Sequence, residues 1–197
     1  MRKQFSLFQS HLDVSHAYIC EIINVGDIAV DATCGNGHDT LFLAEWCLSE
    51  SSGAVYSIDI QSSAIEEAKR NTEQNIAEGI KKRIHYLQQC HSSFPTEICS
   101  GSVKVVMYNL GYLPGGNKSL TTQVDTTIKS IRAALDLVTP GGIICVTCYP
   151  GHQEGENEEK AILKFVSELD PKQWSCCHHR WCNRTKSPSL LLIQKAL

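Results

Sequence analysis

The sequence predicts an α/β protein: a doubly wound, mostly parallel sheet that ends in a C-terminal antiparallel hairpin. Three observations lead there. Short apolar runs alternate with segments of helical periodicity through most of the chain, and the glycine-rich and polar motifs fall where those runs end. The last two strand-like runs are separated only by the turn-forming segment Asn183 to Pro188.

In order, His16 to Ile23 reads as a short helix and Asp27 to Asp31 as a buried strand, followed by the turn Thr33-Cys34-Gly35-Asn36-Gly37. Leu41, Phe42, Ala44 and Trp46 recur at helical spacing, so a helix is expected from His38 to Leu48, broken by Ser49 to Gly53. Ala54 to Asp59 is the second strand. Ser62 to Ala77 carries Ala64, Ile65 and Ala68 among charged residues, as a surface helix does, and Ile84 to Leu87 is a short third strand. Val103 to Tyr108 is the fourth strand. The stripe Ile128, Ile131, Ala134, Leu135 and Val138 predicts a helix over Thr121 to Val138, after which Gly141-Gly142 opens a fifth strand reaching Tyr149. Glu156 to Leu169 is the last helix, and the hairpin strands lie near Trp174 to Trp181 and Ser189 to Gln194.

With 197 residues, 42% hydrophobic and 20% charged, the chain fits one domain, residues 1–197, and is neither disordered nor collagen-like. No apolar run approaches the roughly 18 residues of a membrane span, so no membrane partner is expected. A net charge of -3 argues against coating nucleic acid by bulk electrostatics but permits local basic patches. The candidates are Lys81-Lys82-Arg83, Lys118, Lys129, Arg132, Arg180, Arg184 and Lys186.

The ten cysteines lie within segments that read as core, the pattern of reduced intracellular thiols. Cys145 and Cys148 sit three apart in a strand, pointing to opposite faces, which disfavours a redox pair. Cys176, Cys177, His178, His179 and Cys182 lack a second ligand pair to close a tetrahedron, and no metal is expected. The amino end has no apolar segment of a signal peptide. These features suit the cytoplasm, or an organelle matrix reached by a transit sequence absent from this chain; a homodimer is compatible with them.

The chemistry concentrates at strand ends. Asp31 precedes a turn with Gly35 and Gly37 entering a helix, where backbone approaches a ligand closely. A dinucleotide site wants a third glycine where Thr40 stands, and no acid in the first strand. A carboxylate instead suits the positive amino group and sulfonium of S-adenosyl-L-methionine, and Asp59 is placed to accept ribose hydroxyls. An NAD-dependent oxidoreductase is the rival. The segment Asn109-Leu110-Gly111-Tyr112-Leu113-Pro114-Gly115-Gly116 resembles N-P-P-Y of amino-directed methyltransferases, in which the Asn oxygen and a backbone carbonyl hold the amine while the aromatic stacks on the base. Leu110 and Gly111 replace both prolines, loosening the loop.

From Gly26 onward the chain resembles the rRNA methylase group of bacteria and plants. The resemblance is carried by Gly26-Asp27-Ile28-Ala29-Val30-Asp31-Ala32-Thr33, Gly35-Asn36-Gly37-His38-Asp39-Thr40, Asp59-Ile60-Gln61, the Asn109 to Gly116 string, Pro140-Gly141-Gly142, and Tyr149-x-Gly151-His152-x-x-Gly155. It implies a Rossmann-like class I methyltransferase that N-methylates the 5-aminomethyl group of the tRNA wobble (2-thio)uridine, with the tRNA anticodon loop as partner. Another amine, on rRNA, a small molecule or protein, is the alternative substrate. The expected cofactor-binding residues are Asp31, Thr33, Gly35, Asn36, Gly37, His38, Asp39, Thr40, Asp59, Ile60, Gln61, Gln89, Cys90, His91 and Asn109. Gln89 stands where many such enzymes place an acid for the adenine amino group. Asn109 and Tyr112 are the expected catalytic residues. Leu110, Gly111, Tyr112, Leu113, Pro114, Gly115, Gly116, Tyr149 and His152 are expected against the substrate. His38, His91, His152 or water are the candidates for taking the amine proton.

Overall fold

The computed structural model describes residues 10–111 and 121–197. Strands β1 (Ile28–Asp31), β2 (Ala54–Asp59), β3 (Ile84–Gln88), β4 (Val103–Asn109) and β5 (Val138–Cys148) run parallel. Two more, β6 (Trp174–His179) and β7 (Ser189–Lys195), form the antiparallel hairpin, with β7 paired to β5, so the sheet order is β3-β2-β1-β4-β5-β7-β6. The helices are α1 (His11–Cys20), α2 (His38–Cys47), α3 (Ser62–Asn75), the single turn α4 (Glu78–Lys81), α5 (Val124–Leu137) and α6 (Gln153–Ser167).

Alternation of side chains along each strand supplies both cores. On one face Ile19 of α1 and Leu43, Ala44 and Cys47 of α2 pack with Ala29, Val55, Val105, Met107 and Cys145. On the other, Ile131 and Ala134 of α5 and Ile162 and Val166 of α6 pack with Val30, Val106, Tyr108, Ile144 and Cys148. Cys145 and Cys148 therefore do face opposite layers, and burial pushes both thiols well above their ordinary range, leaving them protonated and inert. The sheet order reverses between β1 and β4, which opens a crevice at their carboxyl ends.

Boundaries shift where local signals compete. Helix α1 begins at His11, five residues before the periodic signal, because Ser10 and Asp13 form a capping box. Helix α5 begins at Val124 rather than Thr121, since Thr122 turns its backbone N–H to Gly111 O at 3.0 Å. Strand β5 begins at Val138 because it pairs with Val103 before a bulge at Gly141 and Gly142. Helix α6 begins at Gln153, capped by His152, whose Nδ1 accepts the Gly155 N–H at 3.2 Å.

Candidate active site

The turn after β1 is built around a buried carboxylate. Asp31 is fully buried; Thr40 Oγ1 donates to its Oδ2 at 2.6 Å and the Thr33 N–H reaches Oδ1 at 3.4 Å. Loss of water first, and the nearby Asp39 second, push the Asp31 carboxyl up to about 8. Thr40, where a dinucleotide fold would want glycine, is thus the residue that holds Asp31, and it also shares a hydrogen bond with Ser57 at 2.9 Å.

Gly35 and Gly37 occupy left-handed backbone at φ 49° and 77°. A Cβ at Gly37 would fall 2.5 Å from Ala68 Cα, so glycine is what lets α2 start against α3. The Asn36 carbonyl accepts from Asn71 Nδ2 at 3.3 Å, which ties the turn to α3 a second time. From the end of β2, Asp59 accepts the Gly35 N–H through Oδ2 and the Gln61 N–H through Oδ1, each at 3.0 Å. Two strand-end carboxylates and the glycine turn therefore form one preorganised cradle.

Asn109 closes it from the end of β4. Its backbone N–H donates to Thr33 Oγ1 at 2.7 Å, and its side-chain Nδ2 donates to Asp39 Oδ2. The other end of that amide, Oδ1, is buried without a hydrogen-bond partner among the described residues. A buried carbonyl oxygen left this way costs about 1–3 kcal/mol, which makes it a candidate acceptor for a ligand N–H. Asp39, in turn, receives His16 Nε2 on Oδ1 at 2.7 Å.

The described start of the segment that follows β4 is pinned at two successive residues. The Leu110 N–H donates to Thr147 O at 2.9 Å, and the Gly111 N–H donates to Thr122 Oγ1 at 2.9 Å. Glu158, buried in α6, receives Thr122 Oγ1 at 2.7 Å and Thr127 Oγ1 at 2.6 Å. Tyr149 stands beside this segment, its Cβ 4.0 Å from where a Gly111 side chain would begin, and burial followed by the charge of Asp39 raises its hydroxyl pKa. Tyr112, Leu113, Pro114, Gly115 and Gly116 lie outside the described residues.

The remaining expected residues rim the crevice. Ile60 follows Asp59 with 62% of its surface exposed, an uncovered apolar face beside the carboxylate. Gln89 Nε2 is committed to Ser93 O at 2.8 Å, so an incoming amino group would meet the amide oxygen. Cys90 Sγ accepts the Ser92 N–H at 3.5 Å. His91 is held neutral by burial, its pKa lowered to about 4, and lies edge-on to Tyr108. His38 is the exposed first residue of α2, and His152 is the cap of α6.

Two residues of this network escape sequence reasoning. His16 lies in α1, ahead of the first strand, and nothing local connects it to Asp39. Glu158 carried a legible signal: it falls on the same helical stripe as the buried Ile162 and Val166, where a carboxylate needs a dedicated partner.

Asp31, Asp39 and Asp59 converge with no lysine or arginine paired to them among the described residues. This donor set fits a ligand that brings positive charge, hydroxyls and N–H groups, as S-adenosylmethionine does, and opposes a pyrophosphate.

Comparison with known proteins agrees with that chemistry. The family described as "Putative rRNA methylase" matches residues 55–195. The tRNA (mnm5s2U34)-methyltransferase, chloroplastic, of Arabidopsis thaliana is 37% identical over 187 residues, 93% of this chain and 68% of that protein. The crystal structure of a protein described as a "putative rRNA-methylase" from Clostridium thermocellum superposes with a TM-score of 0.89 at 35% identity, covering 95% of this chain and 98% of that one. A protein from Streptococcus mutans described as "a putative methyltransferase", solved in complex with SAH, superposes with a TM-score of 0.82 at 29% identity, covering 95% and 99%. The fold and the site define a Rossmann-like, S-adenosylmethionine-dependent class I methyltransferase. Within that class, the chain belongs to the rRNA methylase family.

Proposed function

We propose that this methyltransferase N-methylates the 5-aminomethyl group of a wobble (2-thio)uridine in tRNA. The observation that carries the reading is Asn109: its amide nitrogen is fixed by Asp39, so its buried oxygen, without a hydrogen-bond partner among the described residues, is the end offered to an acceptor. An acceptor oxygen selects a nitrogen that brings N–H bonds, and holding one of them points the nitrogen lone pair away from Asn109.

S-adenosylmethionine, when bound, supplies an electrophilic methyl group on a positively charged sulfur. Asp31 and the Gly35–Gly37 turn would hold its amino-acid end, Asp59 its ribose hydroxyls, and Ile60 with Gln89 its adenine. Asn109 then orients the amine. Of the candidate histidines, His91 is a poor proton acceptor because burial leaves it weakly basic, and the Nδ1 of His152 is committed to capping α6. The ammonium therefore loses its proton to solvent on entry, and the chain supplies position rather than a strong base.

The tRNA assignment is supported by the Arabidopsis relative's name and by the β6–β7 turn. That turn exposes Arg180, Arg184 and Lys186 at the same end of the sheet, and Arg184 lies 3.9 Å over the Trp181 ring. Tyr149, beside the start of the segment that carries Tyr112 in the sequence, is an aromatic for a uridine splayed from its loop to stack on. The ten unpaired cysteines fit a reducing cytoplasm or organelle matrix, and among the described residues no helix is long and apolar enough to cross a membrane. Cells lacking the gene test the assignment by nucleoside mass spectrometry: the unmethylated 5-aminomethyl nucleoside should accumulate. An unchanged wobble nucleoside would assign the enzyme to another amine.

A further inference from the structure

We propose that His16 is a positioning residue for methyl transfer, acting through Asp39 on Asn109. The inference rests on the reading of Asn109 as the group that holds the acceptor amine. Its observations are a continuous chain: His16 Nε2 to Asp39 Oδ1 at 2.7 Å, Asp39 Oδ2 to Asn109 Nδ2, and Asn109 Oδ1 buried without a hydrogen-bond partner among the described residues.

The physical problem is that an asparagine amide has two nearly isosteric ends. Rotated by half a turn, Asn109 would offer N–H bonds to an amine that also carries N–H bonds, and productive holding would be lost. A carboxylate beside one end fixes the choice, because in its ionised form it accepts and does not donate. Asp39 is that carboxylate. It lies in the first turn of α2, 7% exposed and close to the like charge of Asp31. His16 holds its second oxygen by donating to it.

The His16 ring is itself held, stacked on Phe42 with centroids 3.7 Å apart and planes 3° from parallel. Phe42 is one turn further along the helix that carries Asp39, so α1 and α2 clamp the imidazole between stacking and hydrogen bonding. The two functions of the ring are separable by substitution.

His16→Phe keeps a ring to stack on Phe42 and removes the donor; His16→Gln keeps a donor of similar reach and removes the ring. With tRNA carrying 5-aminomethyl-2-thiouridine, His16→Phe should lower kcat about tenfold while KM for tRNA stays within about twofold, the size expected for one misdirected hydrogen bond. His16→Gln should retain kcat within about threefold of the parent. The second readout needs no substrate: the Asn109 side-chain amide proton resonance, assigned by its loss in Asn109→Ala, should lie downfield in the parent and in His16→Gln, and return toward the ordinary amide position in His16→Phe. Phe and Gln variants impaired alike, or an Asn109 resonance unmoved in His16→Phe, would overturn the proposal. Failure of the parent itself to methylate this tRNA would defeat the functional reading, and the amide resonance alone would then decide the role of His16.

Discussion

Asp31→Asn should stabilise the ligand-free protein, and do so increasingly with pH. The carboxyl is fully buried, with its folded pKa raised from 3.8 to about 8. Raising a carboxyl's folded pKa means that the folded state resists its ionisation. Stability is then fully present below pH 3.8 and is lost as pH rises toward 8. Each unit is about 1.4 kcal/mol, and the pH 5 to pH 8 interval lies almost wholly inside that window, so about 3 kcal/mol of the variant's advantage should develop across it. The asparagine oxygen still accepts from Thr40, so packing is kept. For a chain of this size, about 2–4 °C per kcal/mol makes the Tm difference between variant and parent grow by roughly 6–12 °C from pH 5 to pH 8. Differential scanning calorimetry at both values measures it, and titration with S-adenosylhomocysteine should show binding weakened at least about tenfold. A Tm difference that is equal at both pH values, or larger at pH 5, would refute the claim that Asp31 is a buried carboxylate the fold holds at a cost.

Other changes address separate parts of the site. Asn109→Ala should lower kcat by about 10²-fold, more than it weakens S-adenosylhomocysteine binding, because the lost contact acts on the amine; steady-state kinetics beside calorimetry checks this. Gly37→Ala drives a methyl against Ala68 Cα at 2.5 Å from a φ of 77°, and thermal unfolding should report a loss of about 2 kcal/mol or more. Glu158→Ala strips the acceptor from the Thr122 and Thr127 hydroxyls, so a loss of about 2–4 kcal/mol is expected, with a raised KM for tRNA as Gly111 loosens.

The strands were legible because each is an apolar run closed by turn residues, and the cradle was legible because Asp31, Gly35, Gly37 and Asp59 follow one another at strand ends. Residues whose meaning depends on distant partners were not. His16 gains its role from an aspartate 23 positions on, and Thr122 from a glutamate 36 positions on, separations that no local periodicity records. The early start of α1 was readable as Ser10-x-x-Asp13 and was masked by the weak apolar stripe behind it. Strand β5 hid its first residues because Pro140, Gly141 and Gly142 read as a turn; Val138 pairs with Val103 ahead of an irregularity in which Gly141 takes a left-handed φ of 70°, and pairing to β4 resumes at Ile143. The orientation of the Asn109 amide is a three-dimensional property: the sequence supplies the residue, and Asp39 decides which end faces the crevice.

The most direct test incubates the purified chain with S-adenosylmethionine and tRNA bearing unmethylated 5-aminomethyl-2-thiouridine, then digests the tRNA and weighs its nucleosides. The expected result is a gain of one methyl group on the wobble nucleoside, lost in Asn109→Ala. Absence of that gain, in a preparation that still binds S-adenosylhomocysteine, would contradict the tRNA wobble assignment.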